Sequence, residues 1–232
     1  MQGNKFFRKG REYFMELKGK KIVFLGDSIT EGHGTTGVDK QFVTLVGQWG
    51  ECREVKNYGI GGTRFAKQAV PTNERWDKDM SSRIEELDED ADIVVLFGGT
   101  NDFGHGDAPL GTFADRTPYT FYGACHHIMT RMHERFPGKP MVILTPLHRL
   151  NEDNPKGDGN KAYNVAPLKV YVNIIREVAE FYSIPVLDLY AESGIQPKVD
   201  VIRERYCPDG LHPNDAGHEL LAKKIFAYLK AM

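Results

Sequence analysis

The chain has 232 residues, which is long enough for one compact domain with a large buried core. Its composition, 41% hydrophobic and 27% charged, is ordinary for a globular protein and excludes an intrinsically disordered one. The 30 basic residues nearly balance the 32 acidic ones, which gives a net charge of -2. This balance offers no electrostatic basis for binding nucleic acid or an anionic membrane.

The cysteines and the amino terminus bear on the compartment. Cys52, Cys125 and Cys207 are scattered and form no C-x-x-C pair, which argues against a disulfide framework and against a zinc site. Residues 1–19 are basic and interrupted by charges, so we interpret them as a terminal extension rather than a signal peptide. No later run approaches the roughly 18 apolar residues of a membrane span. The sequence predicts a cytoplasmic protein with a single domain over residues 1–232.

Five short apolar or β-rich runs alternate with longer segments, and no internal repeat or linker interrupts the series. The runs lie at residues 21–26, 54–58, 93–98, 141–146 and 184–189. Four of them are nearly continuous hydrophobics, which is typical of parallel strands covered on both faces. The second run is more polar, and we assign it to an edge of the sheet.

The segments between and after these runs have helical patterns. They lie at residues 40–49, 81–87, 119–135, 167–182 and 214–229. In the last segment one face is apolar at a period of 3.6 and carries Ala216, Leu220, Ala222, Ile225, Phe226 and Leu229. Alternating β and α segments predict an open three-layer α/β/α fold, because parallel strands need crossover connections.

Ligands of such sheets bind beyond the carboxyl ends of the strands, which directs attention to the residues after each run. Ser28 follows the first run, in a segment that is neither a G-x-S-x-G elbow nor a phosphate-binding loop. Taken alone, such a serine is most often a turn former or a helix cap. Asn101 and Asp102 follow the third run. This segment has two explanations. Asn101 could be an amide donor aimed at developing negative charge, or the segment could form an Asx turn in which Asp102 caps the local backbone.

Two further segments carry candidate groups. Gly61 and Gly62 follow the second run, where glycine permits a turn with positive φ and a close approach of backbone N–H to a ligand. Near the carboxyl terminus, Pro213 favours an extended His212 and is well placed to start the last helix. Asp209 lies three residues before His212 and would orient its ring. For an isolated pair of this kind, a simple turn is the more common explanation.

The combination of these segments favours an acyl-transfer site over the separate structural explanations. Such a site needs a nucleophile, N–H donors, a base and a group that orients the base. Ser28, the glycine turn, Asn101, and the pair of Asp209 and His212 supply all four from separate strand or helix boundaries.

Together, these segments resemble the SGNH/GDSL hydrolases, the GDSL-like lipases and acylhydrolases, whose name spells the Ser, Gly, Asn and His of their sequence blocks. The matching segments are residues 26–29, 57–62, 99–102 and 209–212. Their order and spacing agree with the family from residue 21 to beyond residue 211. One departure is Ile29, where the family block has a leucine, and this position needs only an apolar side chain.

The resemblance implies a fold and a set of roles. The fold is a flavodoxin-like sandwich with a five-stranded parallel sheet in the order 2-1-3-4-5, with no metal and no organic cofactor. The resemblance implies that Ser28 is the nucleophile, that His212 is its general base and that Asp209 orients the base. After attack on an ester carbonyl, an acyl-enzyme on Ser28 would be hydrolysed by water.

The resemblance also implies an oxyanion hole. Its donors would be the Ser28 N–H, the Gly62 N–H and the side-chain amide of Asn101. Gly61 is the alternative to Gly62, because the two glycines are adjacent in the block.

Other polar residues near the blocks are assigned no catalytic role. Asp27 and Asp102 are expected to accept hydrogen bonds from backbone N–H groups of their own loops. His33 and His105 are expected in solvated loops, with the cleft wall as the alternative. The remaining residues of this group are His126, His127 and His133, in a helical segment, and Cys207, which lacks an electropositive setting.

Two insertions, residues 103–118 and 147–163, are expected to roof the site. The second is strongly polar, whereas a pocket for a long acyl chain is mostly apolar. Residues expected near the rim are Trp76, Arg64, Arg149 and Tyr163. The sequence therefore favours removal of acetyl or another short acyl group from a carbohydrate or a similar polar alcohol.

Two other functions stay open. A lysophospholipase or acyl-thioesterase would share the site and differ in its preference for acyl chain length. A non-catalytic module of the same fold would bind a small ligand at the same edge, but it would not need a nucleophile beside a base. The expected partner is a small-molecule ester, with no nucleic acid and no membrane, and the sequence leaves the oligomeric state open.

Overall fold

The computed structural model describes residues 15–163 and 165–232. Of the extension predicted at residues 1–19, residues 1–14 lie outside the described residues. The strands of the described chain are β1 Lys21–Gly26, β2 Glu54–Gly59, β3 Ile93–Phe97, β4 Met141–Leu144 and β5 Val186–Leu187. They form one parallel sheet in the order β2-β1-β3-β4-β5. The predicted α/β/α fold with a flavodoxin-like sheet is confirmed.

Helices cover both faces of the sheet. The α-helices of the described residues are α1 Ser28–Glu31, α2 Phe42–Trp49, α3 Met80–Arg83, α4 Thr100–Gly104, α5 Phe121–Arg135, α6 Leu168–Phe181, α7 Leu189–Glu192, α8 Asp200–Tyr206 and α9 Asp215–Ala231. Helices α3, α5 and α6 pack on one face, whereas α2 and α9 pack on the other. Each face therefore has its own hydrophobic core.

The contrast between β1 and β2 shows how position in the sheet sets composition. Successive side chains of a strand point to opposite faces, so Val23 and Leu25 enter one core while Ile22 and Phe24 enter the other. All residues of β1 are buried, whereas β2 is only partly buried. The prediction that the more polar second run forms an edge strand is confirmed.

The last predicted strand, residues 184–189, is wrong in length, because only Val186–Leu187 pair with β4. Asp188 ends the strand by capping α7, since its carboxylate accepts a hydrogen bond from the Ala191 N–H at 3.2 Å. The same carboxylate pairs with Arg176 at 2.6 Å. Local side-chain bonds of this kind compete with strand pairing. Strands β3 and β4 also end one and two residues before their predicted limits.

Two of the predicted helical segments contain 3₁₀ turns. Helix α2 begins at Phe42 rather than at residue 40, because Val38–Lys40 form a separate 3₁₀ turn. The segment predicted at residues 81–87 consists of α3 followed by a 3₁₀ turn, Ile84–Glu86. Helical structure was therefore predicted correctly at both places, but part of each predicted α-helix is a 3₁₀ turn.

The last helix also starts later than Pro213 suggested. Its cap is Asn214, whose side chain accepts a hydrogen bond from the Gly217 N–H at 3.0 Å, so the helix begins at Asp215. Pro213 precedes the cap. The buried face includes Leu221, whereas Ala216, predicted to belong to it, is exposed.

The cysteines and the helices bear on the predicted compartment. All three cysteines are free thiols, as predicted. Within the described ranges, no helix has both the length and the apolar character needed to cross a membrane. The cytoplasmic location stays a prediction.

Candidate active site

The carboxyl edge of the sheet collects the four segments that the sequence analysis selected. Helix α1 follows β1 directly, a glycine turn follows β2, and α4 follows β3. Residues 209–212, between α8 and α9, reach the same edge. Ser28, Gly62, Asn101 and His212 line one cleft of about 300 Å³.

Ser28 is presented by a sharp turn from strand to helix. Asp27 caps α1, because its Oδ1 accepts a hydrogen bond from the Ile29 N–H at 3.0 Å. Gly26 makes the turn possible, since a Cβ there would lie 2.0 Å from the Thr30 hydroxyl oxygen. Ser28 is the first residue of the helix, so its N–H has no partner within the helix. Both its hydroxyl and its N–H are thus placed at the sheet edge.

His212 lies between Ser28 and Asp209. Its Nε2 is 3.0 Å from the Ser28 Oγ, and its Nδ1 is 2.7 Å from an Asp209 carboxylate oxygen. The other Asp209 oxygen accepts the N–H groups of Leu211 and His212, at 2.8 and 2.6 Å. Gly210 has a φ of +76°, which permits this tight turn. The structure brings the three residues together in one hydrogen-bonded series.

The charge of Asp209 decides which nitrogen of the imidazole carries the proton. Partial burial opposes ionisation, but the backbone N–H groups of His212 and Leu211 and the imidazole outweigh it, so the pKa of Asp209 lies below its ordinary value. An ionised carboxylate only accepts hydrogen bonds, so Nδ1 is the donor. Nε2 is then left to accept the proton of the Ser28 hydroxyl.

The two adjacent glycines after β2 differ in what their N–H groups do. The Gly61 N–H donates to the Glu31 carboxylate at 2.7 Å. The Gly62 N–H has no acceptor among the described residues. Gly62 has a φ of +80°, and a Cβ on it would lie 2.1 Å from the Trp76 ring. Gly62 therefore has the unpaired N–H, and no larger residue fits beneath Trp76.

The side chain of Asn101 also faces the cleft. It lies on α4, which follows Gly99, a residue with a φ of +99°. The Asn101 amide nitrogen donates to the Thr63 carbonyl at 3.0 Å. An amide nitrogen has two protons, so this bond fixes its plane and leaves one N–H for a ligand.

The two acids next to these residues accept backbone hydrogen bonds, as predicted, but only Asp27 does so within its own loop. Asp102 accepts hydrogen bonds from the Phe65 and Ala66 N–H groups at 2.8 and 3.0 Å, and Asp27 caps α1. Both carboxyls are buried. Burial raises the pKa of Asp27 to about 7 and that of Asp102 to about 6, against the hydrogen bonds that favour their charged forms.

The two histidines near the blocks both line the cleft, which was the alternative, but only His105 departs from the expectation of a solvated loop. His33 is exposed, but its ring centre lies 5.5 Å from that of His212. His105 is half-buried and packs on Trp76 with a centroid distance of 4.5 Å. Burial, with help from the charge of Arg64, lowers the pKa of His105 to about 4. Both side chains lie in the cleft because their loops fold back over the sheet edge.

The predicted rim is right only in part. Trp76 lines the cleft. Arg64 and Arg149 are buried instead, because each forms an ion pair, Arg64 with Asp77 at 2.6 Å and Arg149 with Asp158. Tyr163 is exposed and lines a neighbouring cavity rather than the cleft. The two predicted insertions do reach the site, since they contribute His105 and Asp158.

Three residues of the site were missed by the sequence analysis. Arg75 and Asp158 line the cleft, and no sequence pattern distinguishes them from other loop charges. Glu31 holds the glycine turn. Its signal was its position three residues after Ser28, one helical turn away on the same face.

The histidines of α5 and the thiol of Cys207 do not line the cleft. His126, His127 and His133 lie on α5, as predicted, and His126 contacts the Tyr182 hydroxyl at 3.2 Å. Burial raises the pKa of Cys207 to about 12, so its thiol stays protonated. No group of three His, Cys, Asp or Glu side chains that would suit a metal ion occurs in residues 15–163 and 165–232.

The family of the chain follows from a match to a family model. The model of the GDSL-like Lipase/Acylhydrolase family matches residues 24–220, a range that contains every predicted site residue. The chain belongs to this family. Membership confirms the resemblance found in the sequence blocks, and it indicates hydrolysis of acyl esters.

Solved structures of other proteins share the fold of this chain. One crystal structure is 34% identical in sequence, with a TM-score of 0.81 over 94% of this chain and 99% of that chain. A protein from Lactobacillus plantarum is 27% identical, with a TM-score of 0.78 over 91% and 97% of the two chains. The acetyl xylan esterase AlAXEase is 22% identical, with a TM-score of 0.59 over 90% and 99%. No curated protein sequence matches the chain.

Proposed function

We propose that this GDSL-family chain is a serine ester hydrolase that removes acetyl or another short acyl group from a carbohydrate or a similar polar alcohol. The observation that carries the proposal is the series from Asp209 through His212 to Ser28, with contacts of 2.7 and 3.0 Å. A protein that only binds a ligand has no need of a base on a serine hydroxyl. The same cleft holds the N–H donors that acyl transfer requires.

The first half of the reaction forms an acyl-enzyme. The Ser28 Oγ attacks the ester carbonyl carbon while His212 Nε2 takes the hydroxyl proton. The carbonyl oxygen gains negative charge and is held by the Ser28 N–H, the Gly62 N–H and the free N–H of Asn101. The Asp209 carboxylate stabilises the imidazolium that forms. When the tetrahedral species collapses, the bond to the alcohol breaks and His212 gives its proton to the departing oxygen.

The second half repeats these steps with water. His212 takes a proton from water, and the hydroxide attacks the acyl carbonyl carbon. Collapse releases the carboxylic acid and returns the proton to the Ser28 Oγ. No metal or organic cofactor is required by this sequence of steps, because the N–H donors supply the electrophilic group.

The choice of substrate rests on the walls of the cleft. The cleft is small, about 300 Å³, and it combines polar or charged groups from His33, Arg75 and Asp158 with apolar surface from residues such as Trp76 and Leu211. A long acyl chain needs a large, mostly apolar pocket, whereas a cleft of this size with a mixed lining suits a short acyl group on an alcohol with hydroxyls. AlAXEase, a neighbour named as an acetyl xylan esterase, shares only the fold at 22% identity. The substrate proposal therefore depends on the cleft and not on that neighbour.

The experiment that tests the reaction is Ser28→Ala with p-nitrophenyl acetate as substrate. We expect kcat/KM to fall by at least about 10³-fold, because the nucleophile is lost while the fold is kept. The matched control is Ser82→Ala, which removes an exposed serine hydroxyl from α3. Folded Ser28→Ala protein with the activity of the control would contradict the proposed mechanism.

A second measurement tests the acyl group. We expect kcat/KM to fall steeply from p-nitrophenyl acetate to p-nitrophenyl octanoate, and we expect acetate to be released from acetylated sugars. A rate that rises with chain length would replace the short-acyl proposal with a lysophospholipase or thioesterase, and it would leave the role of Ser28 intact.

A further inference from the structure

The carboxylate of Glu31, which takes no part in the chemical steps, lies behind the glycine turn. Glu31 is the last residue of α1, the helix that begins with Ser28. One of its carboxylate oxygens accepts the Gly61 N–H at 2.7 Å and lies 3.2 Å from the His33 Nε2. The other oxygen pairs with Arg75. Three segments of the cleft therefore meet at this carboxylate: the end of α1 with the turn that follows it, the glycine turn and the loop that carries Arg75.

The hydrogen bonds of the turn leave one N–H for a ligand. The Ile60 N–H donates to the Gly26 carbonyl at 3.1 Å, and the Thr63 N–H donates to the Ile60 carbonyl at 3.3 Å. With the Gly61 N–H held by Glu31, three of the four N–H groups of residues 60–63 have acceptors. Gly62 has the remaining N–H, and it lines the cleft.

The Glu31 carboxylate also pairs with Arg75, the residue before Trp76, whose ring covers this turn. Trp76 lies directly over Gly62, where a Cβ would be 2.1 Å from its ring. A hydrogen bond to a charged acceptor is stronger than one between neutral groups. Loss of the carboxylate would therefore free the Gly61 N–H and the Arg75 guanidinium together, while Trp76 keeps its other contacts.

We infer that Glu31 is the positioning residue of the oxyanion hole, an inference that rests on the proposed function. By holding the Gly61 N–H, it fixes the Ile60–Gly61 peptide plane, which adjoins the peptide that carries the Gly62 N–H, and so keeps the Gly62 N–H directed at the carbonyl oxygen of the substrate. Glu31 does not touch the reacting atoms, so its effect is expressed through Gly62. The expected effect of its loss is smaller than that of removing a donor, which is typically about 10²–10³-fold in kcat.

The experiment compares Glu31→Ala with Glu31→Gln and with the double variant Glu31→Gln, Arg75→Met. For Glu31→Ala we expect kcat on p-nitrophenyl acetate to fall about 10- to 100-fold with little change in KM. Gly61 and Arg75 bond to different oxygens of the Glu31 carboxylate, so in Glu31→Gln the NH₂ group of the glutamine faces one of these two donors. In the double variant Arg75 no longer competes for the glutamine oxygen, so we expect that variant to recover most of the kcat lost by Glu31→Ala.

A second readout separates positioning from general structural damage. A short alkylboronic acid, such as ethylboronic acid, bonds to a serine oxygen and forms an anionic tetrahedral adduct that resembles the transition state. We expect its dissociation constant to rise with Glu31→Ala by the same factor as kcat falls, while KM and the melting temperature stay close to wild type. The control is Glu85→Gln, which removes another carboxylate that pairs with arginine side chains, those of residues Arg131 and Arg135 on α5.

The outcomes distinguish this inference from the proposed function. If Ser28→Ala is inactive and Glu31→Ala has the kcat of the Glu85→Gln control, the positioning role of Glu31 is wrong while the esterase proposal stands. A loss of rate in Glu31→Ala that matches a loss of folded protein, or that appears only in KM, also overturns the positioning role. If Ser28→Ala keeps its activity, the proposed function fails first and the inference fails with it.

Discussion

The two sides of the cleft are held in place in different ways. One side, called here the base side, carries the proposed base His212 and Asp209, and the other, the oxyanion side, carries Gly62 and Asn101. On the base side, Asp209 and His212 are three residues apart, and one tight turn brings the carboxylate to the imidazole. On the oxyanion side, Glu31 holds the Gly61 N–H across 30 positions, and Asn101 is held by a backbone carbonyl 38 positions away. The base side is a local motif, whereas the oxyanion side exists only after the sheet has assembled.

The two sides also differ in how many groups contribute to each proposed catalytic function. In the proposed mechanism the proton passes through His212, and the Asp209 carboxylate sets the tautomer of its ring. The oxyanion has three proposed donors, of which Asn101 is one. We therefore expect a single substitution to cost more on the base side than on the oxyanion side.

The largest effect that tests this comparison is predicted for Asp209→Asn. The asparagine oxygen can keep the backbone N–H bonds of the turn, but its NH₂ group would face the His212 Nδ1. That nitrogen must then become an acceptor, so Nε2 carries the proton and cannot act as base. We expect kcat on p-nitrophenyl acetate to fall by about 10³–10⁴-fold with the fold intact. Asp200→Asn, on the surface of α8, is the matched control.

A different result for Asp209→Asn would contradict the proposed role of its carboxylate. A kcat within about tenfold of the Asp200→Asn control would mean that the carboxylate does not set the tautomer in the reaction. The base side would then be no more sensitive than the oxyanion side, and the comparison would fail.

A smaller effect is predicted for Asn101→Ala. The change removes one of three donors, and this donor acts mainly when the oxyanion is fully charged. We expect kcat and kcat/KM to fall together by about 10²–10³-fold, with little change in KM. Steady-state kinetics beside a melting curve measure both consequences. If the loss of rate follows a loss of folded protein, Asn101 serves only to tie α4 to the Thr63 carbonyl.

The parts that could be predicted from the sequence are those whose causes lie within a few residues. The central strands were visible as apolar runs because both of their faces are covered. The contact between Asp209 and His212 was predictable because a single turn makes it. The assembly of the four blocks at one edge followed from the rule that parallel strands end on the same side.

The parts that could not be predicted depend on which loops fold over the edge. Arg64 and Arg149 were expected at the rim because they lie in polar loops, yet both are buried. Asp77 and Asp158 pair with them and allow burial, and no pattern in the sequence shows that these partners meet. His105 was misplaced for the same reason, since its contact with Trp76 joins two separate loops.

The smallest predicted effect concerns the pH dependence of stability, where exposed and buried acids act in opposite directions. The pKa of Asp209 is lowered, so its contribution to stability is present above the ordinary value of 3.8 and is lost as pH falls through the lowered value. Burial raises the pKa of Asp27 to about 7, so its contribution is full below 3.8 and is lost as pH rises through about 7. The buried acid should therefore weaken the fold at neutral and alkaline pH.

Asp27→Asn isolates this contribution. The asparagine oxygen can keep the cap on the Ile29 N–H, but the side chain cannot ionise. Between pH 5 and 8 we expect the free energy of unfolding, from urea titrations, to fall by about 1–3 kcal/mol more in the wild type than in Asp27→Asn. The difference between the two proteins removes the contributions of the other titrating groups, and Asp153→Asn, at a highly exposed position, is the control. Parallel curves for wild type and Asp27→Asn would mean that the Ile29 N–H and the nearby Arg83 stabilise the charged carboxylate as well as water does.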